Sequence, residues 1–211
     1  MSLTIEQSSA DRVVIHDVSW ETYEHLLHDL ENSSAPRLAY DQGTLEIMSP
    51  HAKHERFNDL LASIVKIALE ESDTDFDSLG STTFKREIFK RGFEPDSCFY
   101  IRNVNRIKNR DKIDLEVDPP PDLVIEIDLT NDSLNKLPLF ATLGVPEVWR
   151  YKGALEIKIL GPTGYTNCDA SPALPILTIE RISDMLAASF SMTRPAWLRQ
   201  TRQQIHELLN A

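Results

Sequence analysis

Pro95-Asp96 and, about thirty residues further on, Asp122-Leu-Val-Ile-Glu126 hold the most chemical content in the chain. Side chains alternate between the faces of a strand. A strand over 122–129 therefore places Leu123, Ile125, Ile127 and Leu129 on one buried face. Asp122, Val124, Glu126 and Asp128 share the other. Neighbouring carboxylates on one face repel each other, and water, a cation or a basic partner must relieve them. An edge strand in solvent would do so. The apolar, β-branched centre of the run instead points to a central strand, and then to a hard cation with oxygen ligands. A strand over 93–101 repeats the theme, with Glu94, Asp96, Cys98 and Tyr100 on one face. Pro95 cannot donate to a ladder and marks a strand start or a bulge. If the two strands are neighbours, Asp96 lies beside Glu126. Mg²⁺ takes one or two protein carboxylates and keeps water for its substrate. Such an ion activates water and stabilises a charged phosphoryl oxygen, while a nearby lysine positions the nucleophile or offsets charge.

Other candidates have less pattern behind them. His51 and His54 are spaced to share a helix face, with Glu55 following, but Asn58 stands where a zincin needs its second histidine. Their alternative is a solvated helix terminus. Glu46 reads as an exposed glutamate on a hairpin strand. Lys85 and Lys90, on the strand before Asp96, are reserve lysines, and their spacing favours a place on the surface. There is no serine elbow, Walker A loop or dinucleotide-binding glycine motif. Cys98 and Cys168 form neither a disulfide framework nor a paired zinc site.

The net charge of −11, from 33 acids against 22 Lys plus Arg, excludes an indiscriminate nucleic-acid coat. It allows a nuclease with a local basic strip. Residues 102–112 hold five basic residues and one acid, and 113–135 hold seven acids and no Lys or Arg. The alternative is a solvated loop beside an acidic edge. Arg194, Arg199 and Arg202 lie near the C-terminus as either phosphate contacts or a solvent face. No run approaches a membrane span, and Met1 to Asp11 lack the pattern of a secretory signal. A cytoplasmic protein without membrane contact is expected.

The elements that must position these residues follow from periodicity. Ser19 caps a helix carrying Trp20, Tyr23, Leu26, Leu27 and Leu30. RLAYD and TLEIMS flank Gln42-Gly43 as a hairpin. A long helix over about 51–71 buries Phe57, Leu60, Leu61, Ile64, Val65 and Ala68. Strands are expected at 82–89, 93–101, 122–129, 146–151 and 154–160. Asp132 or Ser133 caps a helix through Leu134, Leu137 and Phe140 to Gly144, kept short or bent by Pro138. Helices at about 183–189 and 195–209 close the chain. The expected architecture is α/β, a mixed sheet with helices against it. It divides into an extension (1–18), one domain (19–190) and a C-terminal helix (191–211).

GTLEIMSPHAKHERF (43–57), RGFEPDSCFYI (91–101), PPDLVIEIDLTNDSLNKLPLF (120–140) and LGVPEVWRYKG (143–153) carry a resemblance over about 20–190. The chain resembles the Uma-two family, a domain of unknown function assigned to the endonucleases of the restriction-endonuclease-like PD-(D/E)xK superfamily. The resemblance implies a restriction-endonuclease-like sheet flanked by helices. It implies Asp96 and Glu126 as Mg²⁺ ligands, with Mn²⁺ as a substitute, and His54 and Glu46 near the site. The lysine of the superfamily pattern is replaced by Asp128, either a third ligand or the mark of a lost site. Lys136 on the following helix stands where the family often moves that lysine, and a four-carbon stem can reach a common point from a different backbone position. The expected activity is Mg²⁺-dependent hydrolysis of phosphodiester bonds in nucleic acid, with the Ile127 carbonyl as a further ligand. The alternatives are a non-catalytic binding or regulatory module and, more distantly, a hydrolase of a small phosphorylated substrate. A homodimer is expected, because related nucleases pair and C₂ dimers are the commonest oligomers.

Overall fold

The computed structural model describes residues 4–9, 12–31, 36–129 and 134–211, with the side chains of 4–9 left aside. Along the chain the elements are β1 (Thr4–Ser9), β2 (Arg12–His16), α1 (Trp20–Asp29), β3 (Arg37–Asp41), β4 (Thr44–Met48), α2 (Ala52–Glu71), β5 (Asp77–Ser78), β6 (Phe84–Arg86), β7 (Arg91–Phe93) and β8 (Ser97–Tyr100). They continue with α3 (Val104–Ile107), β9 (Leu123–Ile127), α4 (Leu137–Leu143), β10 (Glu147–Tyr151), β11 (Leu155–Gly161), β12 (Gly164–Cys168), α5 (Ile179–Ser189) and α6 (Arg194–Leu209).

Two six-stranded sheets form, where one mixed sheet was expected. The first has the order β1-β2-β4-β3-β7-β6 and is antiparallel throughout. The second has the order β12-β11-β10-β9-β8-β5, and its one parallel pair is β9 with β10. Parallel neighbours need a crossover, and the segment carrying α4 supplies it. The expected extension over 1–18 contributes β1 and β2, and β2 pairs with β4.

The split into two sheets happens at Glu94-Pro95-Asp96. The expected strand 93–101 breaks there, so that Phe93 pairs in the first sheet and Ser97 in the second. Pro95 offers no N–H to a ladder. Glu94 fixes the bend, accepting from Leu38 N at 2.8 Å and Thr83 Oγ1 at 2.6 Å. The expected strand 82–89 is likewise shorter, giving way after Arg86 to a 3₁₀ turn over Glu87–Phe89.

Most other expectations match. Ser19 caps α1 by accepting from Thr22 N at 3.1 Å. Gln42 and Gly43 take positive φ, 49° and 102°, as a two-residue hairpin turn requires. All six expected core residues of α2 are buried, and His51 caps it. The expected caps Asp132 and Ser133 lie outside the described residues; α4 starts with Lys136 at its N-cap and ends at Gly144. Pro138 sits in its first turn, where a missing N–H costs little.

β9 is buried along its whole length. Leu123, Ile125 and Ile127 pack with α2, α5 and α6. Val124 faces the other way, into Val148, Leu139, Phe140 and Phe93 of the first sheet. The second sheet is therefore covered by helices on one face and by α4 with the first sheet on the other. α1 closes the outer side through Trp20 and Tyr23 against Leu38, Tyr40 and Leu45.

Gly92 of β7 is fixed by this outer layer. A Cβ there would lie 2.3 Å from Tyr23 Oη, 2.9 Å from its Cζ and 3.0 Å from Lys85 Cβ. Tyr23 is fully buried and stacked on Tyr40 at 4.9 Å, so it has nowhere to go. Gly92→Ala is therefore predicted to destabilise the protein by about 1–3 kcal/mol through overpacking. Tyr23→Phe should restore part of this, since the hydroxyl it removes has no hydrogen-bond partner. Urea midpoints of the three variants check both claims.

Candidate active site between the sheets

The register of β8 against β9 pairs Ser97 with Ile125. Continued by one residue, it brings Asp96 opposite Glu126, the juxtaposition that the two acidic faces suggested. Asp96 Oδ2 accepts from Ile127 N at 2.6 Å, which locks its carboxylate to β9. Asn58 of α2 donates to the Asp96 carbonyl at 3.1 Å and accepts from Ser97 Oγ at 2.8 Å.

Each carboxylate of the site meets a cation. Arg37 of β3 donates to Asp96 Oδ1 and, at 2.7 Å, to Glu55 Oε1. Lys136 donates to Glu126 Oε1 and lies 3.5 Å from Glu46 Oε1. Glu46 Oε2 accepts from Leu134 N at 2.8 Å and faces Arg12 Nε at 3.6 Å. Arg150 of β10, the register partner of Glu126, reaches Asp128 just beyond the strand. Glu46, His54, Asp96, Glu126, Asp128, Lys136, Arg12 and Arg37 are all buried. For Glu46 this corrects the expected exposed strand residue: its neighbour β2 and the segment before α4 enclose it, leaving 1% exposure.

The six sequence candidates thus gather in one place, at the seam where β4 and β3 of the first sheet meet β8 and β9 of the second. Lys85 and Lys90 do not join them and pair with Glu24 and Glu87. Arg194 and Arg202 dock α6 on Asp59, Glu70 and Glu71 of α2. In the basic loop, Lys108, Arg110 and Lys112 pair with Asp75, Asp118 and Glu31. Asp122 serves structure, accepting from Ile101 N, Asn103 N and Asn103 Nδ2.

Sequence reasoning missed Arg12, Arg37, Arg150 and Asn58. For Arg150 a signal existed, because aligning Val148-Trp-Arg150 with Val124-Ile-Glu126 as parallel strands puts the guanidinium beside the carboxylate. Arg12, Arg37 and Asn58 carried no local signal.

The charges are tuned by burial and by one another. Desolvation draws the Lys136 ammonium down, but Glu126 and Glu46 outweigh it and hold its pKa above the ordinary value. His54 moves the other way. Desolvation, with Arg37, Lys136 and His51 nearby, lowers its pKa to about 3, so its ring is neutral at pH 7. His54 Nε2 lies 3.1 Å from Asp96 Oδ2, yet neither ring nitrogen makes a well-directed hydrogen bond.

Three buried carboxylate oxygens here lack a hydrogen-bond donor: Glu46 Oε1, Glu126 Oε2 and Asp128 Oδ1. Open carboxylate oxygens in low dielectric suit a hard cation. Among the described residues no three His, Cys, Asp or Glu side chains converge into a complete metal site.

The sequence profile of the Uma2 family, described as "Putative restriction endonuclease", matches residues 20–186. No curated protein matches. Among solved structures, the crystal structure of "a putative nuclease belonging to DUF820" from Anabaena variabilis ATCC 29413 is similar, with a TM-score of 0.57 and 15% identity over 86% of this chain and 99% of that one. At this identity the likeness concerns the fold. The profile covers most of the chain, which belongs to the Uma2 family. Among the described residues no helix is long and apolar enough to cross a membrane.

Two outcomes follow from the buried charges. Lys136→Met leaves Glu46 and Glu126 without their shared cation and should cost about 3–5 kcal/mol. Adding Glu46→Gln should recover part of that in urea unfolding. The second concerns pH. With a folded pKa of about 3 against the ordinary value of 6.5, His54 binds its proton in the unfolded chain first. Its contribution to stability is full above pH 6.5 and is lost as pH falls towards 3. His54→Asn measured in chelator should lose stability less steeply over that window, and equal slopes would refute this account.

Proposed function

We propose that this Uma2-family protein is a divalent-metal-dependent endonuclease that hydrolyses phosphodiester bonds in nucleic acid. The observation that carries the reading is the pairing of Asp96 with Glu126 across β8 and β9, with an open Glu126 oxygen and a lysine on the same carboxylate. Asp96 and Glu126 would hold the ion, Mg²⁺ or Mn²⁺, with the Ile127 carbonyl or Asp128 as a further ligand. When bound, the ion would supply Lewis acidity at the scissile phosphate and lower the pKa of the attacking water.

The remaining roles belong to the chain itself. Arg37 and the Ile127 N–H fix the Asp96 carboxylate, so its position costs no reorganisation during reaction. Lys136 remains protonated at neutral pH, with its ammonium on Glu126, where it orients water and offsets developing negative charge. Its place on the segment after β9 serves the role that a lysine at position 128 would have served. His54, neutral beside Asp96, adds no second charge to that carboxylate. Glu46 positions Lys136 from the first sheet.

A second reading has its own observation. Every candidate ligand carboxylate already faces a buried or half-buried cation, and Arg150 occupies Asp128. A binding or regulatory module that keeps the charge network without turnover is consistent with that pairing. Homodimer formation belongs to the first reading as part of the proposal, and light scattering in solution decides it.

Supercoiled plasmid, single-stranded DNA and RNA, each with Mg²⁺ or Mn²⁺, separate the two readings. The nuclease reading predicts metal-dependent cutting by the wild type and a loss of at least about a hundredfold in Asp96→Ala and Glu126→Ala, of the order found when a single electrostatic group is removed from an active site. Circular dichroism checks that both variants fold. Cutting that survives in folded Glu126→Ala would refute the site, and no cutting by any protein on any substrate would favour the module.

A further inference from the structure

Three aromatic rings pack in series beside the first turns of α2, next to His54, and the outermost lies open. Tyr151 ends β10 directly after Arg150, and its carbonyl accepts from Asp128 N at 2.8 Å. Its ring stacks on Phe57 of α2, with centroids 4.3 Å apart and planes 24° from parallel. Phe57 lies one turn along α2 from His54. Phe190, the C-cap of α5, follows at 5.8 Å, tilted by 58°. Phe57 is buried, Tyr151 is half-buried, and Phe190 is 60% exposed. A single exposed phenylalanine is ordinary on a protein surface. This one continues a stack through Phe57, one turn along α2 from His54, whose Nε2 lies 3.1 Å from Asp96 Oδ2.

Charge at this end of the molecule suits a polyanion. Lys53 and Arg56 on the first turns of α2 and Lys152 after Tyr151 are all exposed. Among the described residues none of the three is ion-paired, in a chain whose net charge is −11. Lys53 stands four residues before Phe57, so it shares that helix face. The nearby acids are engaged: Glu55 holds Arg37, and Asp59 holds Arg194. Another exposed apolar pair, Ile88 and Phe89, sits beside Trp20 and Lys90 and has no such continuity with the carboxylates.

We propose that Phe190, backed by Phe57 and Tyr151, is a stacking platform for an unpaired base of single-stranded nucleic acid whose backbone passes the Asp96–Glu126 site. This rests on the nuclease reading and deepens it, because it names the form of the substrate. Base–aromatic stacking tolerates any sequence, while exposed cations along the path hold the phosphates. A duplex keeps its bases stacked on one another and gains nothing from the exposed ring.

The test reads binding, so it does not depend on turnover. Full-length Glu126→Ala serves as the parent, with fluorescein-labelled dT12 and U12, a duplex of the same length, and a strand carrying a central 2-aminopurine. Phe190→Ala in that parent should weaken single-strand binding about tenfold, the size expected for losing one stacked base. Duplex binding should stay unchanged, and Phe190→Trp should restore the affinity. Quenching of 2-aminopurine by the parent should disappear in Phe190→Ala. Equal single-strand affinity with and without the ring, no binding of single strands by the parent, or preference of the parent for duplex would each overturn the platform. If the wild type cuts nothing while the quenching and its loss are observed, the platform stands and the nuclease reading falls.

Discussion

Lys136 lies between two carboxylates that belong to different sheets. Glu46 comes from β4 of the first sheet and Glu126 from β9 of the second, and both are almost fully buried. Two such anions cannot approach in low dielectric unless a cation stands with them. The ammonium therefore sets how the two sheets meet. It comes from the N-cap of α4, in the crossover that makes β9 and β10 parallel. Arg37 repeats the arrangement, reaching from β3 in the first sheet to Asp96 at the start of β8 in the second. Packing of the sheets and geometry of the site are one constraint: a change that moved the sheets apart would unpair the charges first.

The same constraint explains how much the sequence revealed. Local pattern identified the two acidic strand faces, because alternation needs only neighbours in the chain. It also gave the hairpin at Gln42-Gly43, the buried stripe of α2 and the short α4. It drew a strand through Glu94-Pro95-Asp96, although the proline signalled a break, because the flanking residues are apolar enough to continue on either side. Only tertiary structure shows that Phe93 and Ser97 pair in different sheets. That misreading turned two sheets into one, and nothing local showed that β2 and the segment before α4 cover Glu46 on β4. Lys136 entered through family resemblance; spacing alone gives no reason to choose it over Lys85 or Lys90. Arg37 and Asp96 are 59 residues apart in the chain, and no periodicity links them.

The carboxylates that hold the fold together provide a comparison within the same molecule. Glu94 receives a backbone N–H and a hydroxyl, one on each oxygen. Asp122 receives three donors across its two oxygens. Glu147 accepts from Trp149 Nε1 at 2.7 Å on one oxygen and from Ala173 N at 3.0 Å on the other. Each is buried or nearly so, and each has a donor on both oxygens. That is what a structural role demands, because an unsatisfied buried acceptor costs about 1–3 kcal/mol, and more when charged.

At the seam between the sheets the pattern changes. Glu46, Glu126 and Asp128 are as buried as the structural acids, and each keeps one oxygen without a hydrogen bond, that of Glu46 facing only the Lys136 ammonium at 3.5 Å. Donors are not scarce there, since Arg12 Nη1 and Arg37 Nε are themselves buried without acceptors. A network selected only to bind the sheets would join such groups or replace them with apolar residues, which is often neutral or stabilising. The open oxygens therefore mark the one part of the fold where burial and satisfaction have been separated. They lie on Glu126 and Asp128 at one end of β9 and on Glu46 of β4 across the seam, and not on Asp122 at the opposite end of β9. Stability gives no reason for that location; under the metal-dependent reading proposed above, a cation would complete these oxygens.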